Sequence, residues 1–381
     1  MINSKLPEVG TSIFAVMSKM ANEYGAINLS QGFPDFNCSD ELIELFHRYQ
    51  KAGFNQYAPF AGILKLREAI SQKTKNLYGS FYNPDTEITI TAGATQALYT
   101  AITTVINKDD EAILLEPAYD SYAPAVLASG GKPIFVPLTF PSYSINWTKV
   151  NDAISDRTKL IIINSPHNPT GSVISRSNIK ILEDLLRDKA IFVISDEVYE
   201  HIVFDGLQHF SLASSEELSQ KTFVISSFGK TYHATGWKVG YCLAAAPLMN
   251  EFRKLHQFIV FAVNTPAQYA YADYLNEHKH YLELNSFYQA KRDIVIEILK
   301  NSNFNFTPCK GTYFQLLDYS SISQMTDMEF SEQMTKKVGV AVIPLSPFMK
   351  SNNSKTIRIC FAKKDEVLIE AANKLANVTK V

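Results

Sequence analysis

Five short and almost uninterrupted apolar runs in the middle of the 381-residue chain constrain its fold most. Each run is rich in Ile, Val or Leu and too short for a buried helix, and helical patterns fill the stretches between them. Such an alternation is typical of parallel strands that helices cover on both faces. The sequence therefore predicts an α/β fold with a mostly parallel central sheet sandwiched by helices. The predicted strands are Glu87–Thr91, Ala112–Leu115, Leu160–Asn164, Ile191–Ser195 and Thr222–Ser226, with Tyr241–Ala246 as a further candidate.

The pattern changes beyond about residue 266. One long helical stretch runs through Lys300, and separated strand-like pieces follow it before a terminal helix: Thr312–Leu317, Ala341–Pro344 and Thr356–Phe361. This order indicates a second, smaller α+β domain. The N-terminal residues show no strand of their own, and we expect an arm that packs on that domain or on a partner subunit. We therefore divide the chain into an arm with part of the small domain (1–45), a large domain (46–280) and a small C-terminal domain (281–381).

Composition excludes several classes of protein. Apolar residues make up 46% of the chain and charged residues 19%, which suits a folded protein with a large core. The formal net charge of −2 offers no basic surface for nucleic acid or a membrane, so a small molecule is the expected ligand. The 4 cysteines are far apart and form no CxxC pair, which argues against a metal site or a disulfide framework. Because the N-terminus lacks a signal-peptide core and no apolar run is long enough to span a bilayer, we expect a cytoplasmic protein.

The segments that follow the predicted strands carry unusual side chains. In an open parallel sheet, ligands bind beyond the carboxyl ends of the strands. Ala94 and Thr95 open a helix after the first strand, where free backbone N–H groups and the helix dipole favour a phosphate. An ordinary turn uses the same small residues, so this signal is weak alone. Tyr119 follows the second strand and is a candidate to stack on a planar ring, or else one of many core tyrosines.

Polar residues also follow the third and fourth strands. Asn168 lies in a loop that Pro166 and Pro169 stiffen and in which a cis bond is expected, so its amide can be aimed at a ligand oxygen. Asp196 follows a fully apolar strand, where a carboxylate is costly to bury unless it meets a cation such as a protonated ring nitrogen. The alternatives are a plain Asn-Pro turn and a solvated loop acid.

A lysine follows the fifth strand in a glycine-rich setting. Lys230 is a candidate nucleophile that forms a Schiff base. Ser227 and Lys238 on either side offer a hydroxyl and a positive charge to a phosphate. The alternative is a pair of surface lysines, since most lysines are exposed.

In this order, the motifs resemble those of fold-type I, class I and II aminotransferases over nearly the whole chain. Within that family they are most similar to the subgroup of methionine and kynurenine aminotransferases. The resemblance is carried by Asn28–Phe36 (NLSQGFPDF), Asn55–Tyr57 (NQY), 227–240 (SFGKTYHATGWKVG) and 356–362 (TIRICFA).

The resemblance implies pyridoxal 5′-phosphate as cofactor and gives the residues around its ring their roles. Lys230 holds the cofactor as a Schiff base and later moves a proton, and Asp196 pairs with the ring nitrogen. Asn168 and Tyr199 bind the ring 3′-oxygen, and Tyr119 stacks on the ring.

The resemblance also implies the phosphate site and a shared active site. Ala94, Thr95, Ser227 and Lys238 bind the phosphate, and Tyr57 reaches it from the other subunit of a homodimer. Lys238 stands where many aminotransferases have arginine, and a lysine binds phosphate without the bidentate geometry of a guanidinium.

The substrate site follows from the same resemblance. Arg358 grips the substrate carboxylate, and Gly32 lets the substrate approach the backbone. Phe14 and Phe261 line the side-chain pocket, Phe261 from the partner chain. The strand pattern alone contradicts this role for Arg358. Because side chains alternate along a strand, Arg358 is expected on the face opposite its isoleucine neighbours, which is the solvent face.

These roles predict an aminotransferase that moves an amino group from methionine or an aromatic or large apolar amino acid to a 2-oxo acid by a ping-pong mechanism. The alternative in the same class is a kynurenine or glutamine aminotransferase with cysteine-conjugate β-lyase activity. A transcription regulator built on such a domain is disfavoured, because the family pattern begins near Gly10 and leaves no room for a DNA-binding module. A nicotinamide oxidoreductase is disfavoured because no GxGxxG follows a predicted strand.

Overall fold

The computed structural model describes residues 2–350 and 354–379. The α-helices of this part of the chain are α1 (Ile13–Tyr24), α2 (Asp40–Lys51), α3 (Leu64–Tyr78), α4 (Gly93–Val105), α5 (Tyr122–Ala128), α6 (Trp147–Asp152), α7 (Arg176–Leu186), α8 (Glu216–Ser219), α9 (Phe228–Thr231), α10 (Ala246–Ile259), α11 (Thr265–Tyr274), α12 (Lys279–Leu282), α13 (Leu284–Leu299), α14 (Asp327–Gln333) and α15 (Asp365–Ala376). The strands are β1 (Ile27–Asn28), β2 (Ile88–Thr91), β3 (Glu111–Glu116), β4 (Lys132–Pro137), β5 (Thr158–Asn164), β6 (Phe192–Asp196), β7 (Thr222–Ser227), β8 (Gly240–Leu243), β9 (Phe314–Asp318), β10 (Val340–Ala341), β11 (Ile343–Pro344) and β12 (Thr356–Cys360).

The centre of the fold is a seven-stranded sheet of order β2-β8-β7-β6-β5-β3-β4. Pairing is parallel from β7 through to β4, and β8 runs antiparallel to both of its neighbours. The predicted α/β fold with a mostly parallel sheet is confirmed, and the strand candidate near Tyr241 is β8. The sequence prediction missed β4, which forms one edge of the sheet.

Helices cover both faces of this sheet, as the solid apolar runs predict. On one face, Leu114 and Ile162 pack with residues of α4, α5 and α10. On the other face, Ile113 and Ile161 pack with residues of α6 and α7. Neighbouring residues of one strand thus enter opposite cores, which explains why these strands show no polar face.

The C-terminal part forms a separate three-stranded antiparallel sheet of order β11-β12-β9, and α14 packs on β11 and β12. The arm contributes to this part, because β1 pairs in parallel with β10. The expectation that the arm has no strand was therefore wrong, because it contains the short strand β1. This strand exists only through its pairing with β10, which lies far away in the sequence. The predicted strand at Ala341–Pro344 is also divided, since β10 pairs with β1 and β11 pairs with β12.

The long helical stretch predicted after residue 266 is interrupted in the structure. It consists of α11, α12 and α13, separated by tight turns. The backbone N–H groups of Asn276 and Glu277 donate to carbonyl oxygens three residues earlier instead of four. Such 3₁₀-type hydrogen bonds tighten the last turn of the helix, and α11 ends there. The proposed domain boundaries near residues 45 and 280 stay predictions.

Candidate active site

The segments that follow the central strands converge on one cavity of about 260 Å³. Every site residue predicted from the sequence lines this cavity, except Tyr57 and Phe261. These residues are Phe14, Gly32, Ala94, Thr95, Tyr119, Asn168, Asp196, Tyr199, Ser227, Lys230, Lys238 and Arg358. They come from β6, β7, α4, α9, β12, the arm and the loops between the elements, so the fold gathers residues that are distant in sequence.

Lys230 lies on α9, directly after β7, and its amine points into the cavity. Its Nζ donates a hydrogen bond of 2.9 Å to the carbonyl oxygen of Gly32 and lies 5.9 Å from the centre of the Tyr199 ring. Burial lowers the pKa of the Lys230 amine from 10.5 to about 8. A much larger fraction of this amine is therefore neutral near pH 7 than of an ordinary lysine, which suits a nucleophile.

Asp196 ends β6 and is buried at the base of the cavity, so the alternative of a solvated loop acid is wrong. Its carboxylate accepts hydrogen bonds from Tyr122 Oη at 2.6 Å and from the backbone N–H of Val198 at 3.4 Å. Burial raises the pKa of the Asp196 carboxyl to about 6. Both donors are neutral, so the site offers a buried carboxylate to a cation. The sequence reasoning missed Tyr122, which begins α5 three residues after Tyr119.

The N-terminus of α4 faces the cavity beside Lys238. A Cβ built on Gly93 would lie 3.4 Å from Lys238 Nζ, which shows how near the ammonium lies to the first turn of the helix. Gly240 allows this arrangement, because a Cβ there would lie 2.7 Å from the carbonyl oxygen of Ser226 and 3.0 Å from the backbone nitrogen of Ala94. A helix N-terminus and a lysine together favour an anion such as a phosphate.

Arg358 is completely buried, which corrects the solvent-facing placement that strand alternation predicts. All five residues of β12 are buried, so neither face of this strand meets solvent. Its Nη1 donates to Asn168 Oδ1 at 2.9 Å, and its Nη2 donates to the carbonyl oxygen of Ser30 at 3.0 Å. Among the residues described, its Nε has no partner. The guanidinium thus keeps donors for a further acceptor.

Aromatic rings surround this guanidinium. Its central carbon lies 3.9 Å from the ring centre of Phe314, 5.2 Å from that of Phe14 and 5.6 Å from that of Phe348. The sequence reasoning named only Phe14 of the three. The other two carry no pattern that separates them from core phenylalanines.

Asn168 is fixed by the loop that follows β5. Its backbone N–H donates to Asn164 Oδ1 at 2.7 Å, and Asn164 Nδ2 in turn donates to the carbonyl oxygen of Asp196 at 2.8 Å. The Ser165–Pro166 and Asn168–Pro169 peptide bonds are both cis, as the sequence suggested for this loop. Because Arg358 engages the amide oxygen of Asn168, the amide nitrogen is left as a donor to a ligand.

Tyr57 and Phe261 lie outside the cavity. Their rings contact each other edge to face at 5.1 Å, and their side chains are 81% and 57% exposed. The nearby Phe258 is 86% exposed. Such a group of exposed aromatic rings is typical of a surface that another protein covers.

The fold and this site define an α/β protein whose cavity joins a lysine of lowered pKa, a buried carboxylate and the N-terminus of a helix. The sequence model of the family "Aminotransferase class I and II" matches residues 24–375, and the chain belongs to this family. It is an aminotransferase, as the sequence predicts.

Comparison with individual proteins agrees with this assignment. The chain is 49% identical to methionine aminotransferase of Escherichia coli over 98% of its own length and 97% of that protein. The crystal structure of YbdL from Escherichia coli, for which a methionine aminotransferase function was identified, superposes with a TM-score of 0.97, at 49% identity and 99% coverage of both chains. N-succinyldiaminopimelate aminotransferase from Mycobacterium tuberculosis superposes with a TM-score of 0.96, at 34% identity and 100% coverage of both. Kynurenine–oxoglutarate transaminase of Dictyostelium discoideum is 33% identical over 97% of this chain and 95% of that protein.

Proposed function

We propose that this aminotransferase uses pyridoxal 5′-phosphate to move an amino group from methionine or another large apolar or aromatic amino acid to a 2-oxo acid. The observation that carries the proposal is the meeting of Lys230, Asp196 and the N-terminus of α4 around one cavity. Each of these features fits one part of the cofactor. The cofactor aldehyde needs a reactive amine, the protonated ring nitrogen needs a buried carboxylate, and the phosphate needs an anion site.

The remaining residues of the cavity fit the same cofactor. The free amide nitrogen of Asn168 and the hydroxyl of Tyr199 can donate to the ring 3′-oxygen, and Tyr119 offers an aromatic face. Lys238, Ser227 and the backbone of Ala94 and Thr95 would hold the phosphate.

The catalytic work of the chain follows from these positions. The bound cofactor supplies an electron-withdrawing ring that stabilises negative charge on the substrate Cα. The free amine of Lys230 would take the proton from the substrate Cα, and its lowered pKa suits a base near neutral pH. Asp196 keeps the ring nitrogen protonated, because a proton there offsets the cost of a buried carboxylate. The amino donor would leave as a 2-oxo acid with its amino group retained in the site, and an acceptor 2-oxo acid would take up that group by the same steps in reverse.

Arg358 is proposed to orient the substrate. Two of its five N–H donors are used by Asn168 and Ser30, and the rest are available to the α-carboxylate. Gly32 lies against the ring of Phe314, where a Cβ would approach Phe314 Cζ to 2.9 Å. A larger residue at this position would push against the Phe314 ring, which packs on the guanidinium of Arg358.

The lining of the cavity favours an apolar donor. Among the described residues that line it, the cations are Lys230, Lys238 and Arg358. Each of them already has a proposed role with the cofactor or with the substrate α-carboxylate. A side-chain carboxylate would therefore lie unpaired among phenylalanine rings, at a cost of several kcal/mol. Methionine or phenylalanine instead buries apolar area there, at roughly 25 cal/mol per Å².

We predict that methionine or phenylalanine reacts with kcat/KM at least about 100-fold above that of aspartate, which corresponds to roughly 2.7 kcal/mol. Stopped-flow half-reactions that follow the visible absorbance of the enzyme measure this ratio directly. Equal values for aspartate and methionine would contradict the pocket assignment and would require a further cation in the site.

Kynurenine should be measured beside these donors. A kynurenine or glutamine aminotransferase with cysteine-conjugate β-lyase activity uses the same catalytic residues, so the site does not separate it from the proposed activity. The resemblance to kynurenine–oxoglutarate transaminase supports this second candidate. A higher kcat/KM for kynurenine than for methionine would favour it.

The assembly is proposed to be a homodimer with shared active sites. The exposed pair of Tyr57 and Phe261 supports this, because Tyr57 would complete the partner's phosphate site and Phe261 its side-chain pocket. We predict a dimer in sedimentation or light scattering, and we expect Tyr57→Phe to weaken cofactor binding by about 1 kcal/mol, the usual net value of one hydrogen bond. Full activity in a monomer would contradict this prediction.

The cellular location and the binding partners of the enzyme stay predictions from the sequence. In the residues that the structure describes, no helix is long and apolar enough to cross a membrane, and no cluster of His, Cys, Asp or Glu suits a metal ion. We propose a cytoplasmic location and small-molecule partners, with no role for nucleic acid or a membrane.

A further inference from the structure

The segment Asn28–Phe36, here called the strap, lies over Lys230 and is tied to the C-terminal part of the chain. Its ties are hydrogen bonds from Cys360 N to Leu29 O (2.9 Å), Arg358 Nη2 to Ser30 O (3.0 Å), Lys363 Nζ to Phe33 O (2.9 Å) and Lys364 N to Asp35 Oδ1 (2.8 Å). These bonds lie on both sides of Gly32. The Gly32 carbonyl therefore cannot turn away without breaking its neighbours' bonds.

The Gly32 carbonyl oxygen accepts two hydrogen bonds. One comes from Lys230 Nζ at 2.9 Å and the other from the hydroxyl of Tyr313 at 2.6 Å. Tyr313 is completely buried, and its ring contacts that of Tyr199 edge to face at 5.1 Å. A carbonyl oxygen has two lone pairs, and here each has its own donor.

We propose that Tyr313 is a positioning residue whose hydroxyl keeps the Gly32 carbonyl hydrogen-bonded when the amine of Lys230 leaves it to hold the cofactor. The inference rests on the proposed function, since it concerns the attachment of Lys230 to pyridoxal phosphate. In that step the lysine nitrogen replaces the aldehyde oxygen of the cofactor, and the oxygen leaves as water with both hydrogens of the neutral amine. The donor that Lys230 offered to Gly32 is then lost.

Without the Tyr313 hydroxyl, attachment would leave the Gly32 carbonyl with neither of its donors. An unsatisfied acceptor in a desolvated site is costly, whereas one that keeps a single hydrogen bond is not. The free lysine would therefore be favoured over the attached one, by roughly tenfold in the equilibrium constant.

The test compares two forms of the cofactor on Tyr313→Phe. Pyridoxal phosphate attaches to Lys230, whereas pyridoxamine phosphate has an amine in place of the aldehyde and leaves Lys230 free to donate to Gly32. Titration of the cofactor-free enzyme, followed by absorbance and protein fluorescence, gives a Kd for each. We expect the Kd of pyridoxal phosphate to rise about tenfold and that of pyridoxamine phosphate to stay within about twofold of the wild type.

Tyr288→Phe is the matched control. Tyr288 is also completely buried, its ring centre lies 5.5 Å from that of Tyr313, and among the described residues its hydroxyl has no hydrogen-bond partner. Neither Kd should change in this variant. An equal rise in both Kd values for Tyr313→Phe, as a merely structural role would give, or no rise in either, would overturn the inference. Failure of the wild type to bind either form would instead overturn the proposed function.

Discussion

Replacing Lys230 with alanine should lower kcat/KM by roughly 10⁴-fold or more, because the variant loses both the attachment point of the cofactor and the base that moves the Cα proton. The visible absorbance of the cofactor bound through a lysine should disappear with it. Borohydride reduction of the wild-type enzyme, followed by peptide mass spectrometry, should find the cofactor on the peptide that contains Lys230.

Lys238 provides the matched control for this experiment, since it is the other lysine that lines the cavity in the described part of the chain. Lys238→Ala should bind the cofactor more weakly, because a charge facing the phosphate is lost. It should still show the visible absorbance once the cofactor is saturating. A borohydride label on Lys238, or an unchanged absorbance in Lys230→Ala, would show that the nucleophile has been assigned to the wrong lysine.

Replacing Asp196 with asparagine should lower kcat/KM by roughly 10²- to 10⁴-fold, as expected when a buried charge pair of about 3–5 kcal/mol loses one partner. The substitution keeps the shape of the side chain and an oxygen that can accept from Tyr122 Oη, so the fold should be retained. Kinetics of the methionine half-reaction measure the loss. Activity within tenfold of the wild type would mean that Asp196 does not pair with the ring nitrogen.

The pH dependence of cofactor binding tests the same residue. Burial places the pKa of the Asp196 carboxyl at about 6 in the site without cofactor. As the pH falls through 6 this group becomes neutral, so its contribution to binding a protonated ring is present above that pH and lost below it. The Kd of pyridoxal phosphate, measured from pH 5 to pH 8, should therefore depend less on pH in Asp196→Asn than in the wild type.

Tyr122→Phe separates the charge of Asp196 from its orientation. This variant removes the 2.6 Å hydrogen bond to the carboxylate but keeps the carboxyl group itself. We expect a loss in kcat/KM of roughly 10- to 150-fold, which corresponds to about 1.5–3 kcal/mol for one hydrogen bond to a charged group. A loss as large as that of Asp196→Asn would indicate that orientation, rather than charge, limits the reaction.

The sequence by itself determined the strands that helices cover on both faces, because burial on two sides requires an unbroken apolar run. It also determined which strand ends face the cavity, since side chains such as Asp196 and Lys230 follow those runs directly. It did not reveal β4, which lies at the edge of the sheet and contains Pro133 and Pro137. A proline is tolerated in an edge strand, because the N–H group that it lacks need not bond to a neighbouring strand there. In the sequence, however, a proline is more typical of a loop.

Only the tertiary structure decided which distant groups meet. The direction of β8 and the division between β10 and β11 depend on the strands they pair with, and local composition does not encode these. The buried position of Arg358 depends on the arm that covers its strand, so alternation within β12 predicted the wrong face. The bonds from Tyr122 to Asp196 and from Lys230 to Gly32 join residues 74 and 198 positions apart. Hydrogen bonds of this kind depend on the hydrophobic cores that hold the elements together, because the chain between the partners carries no local preference for them.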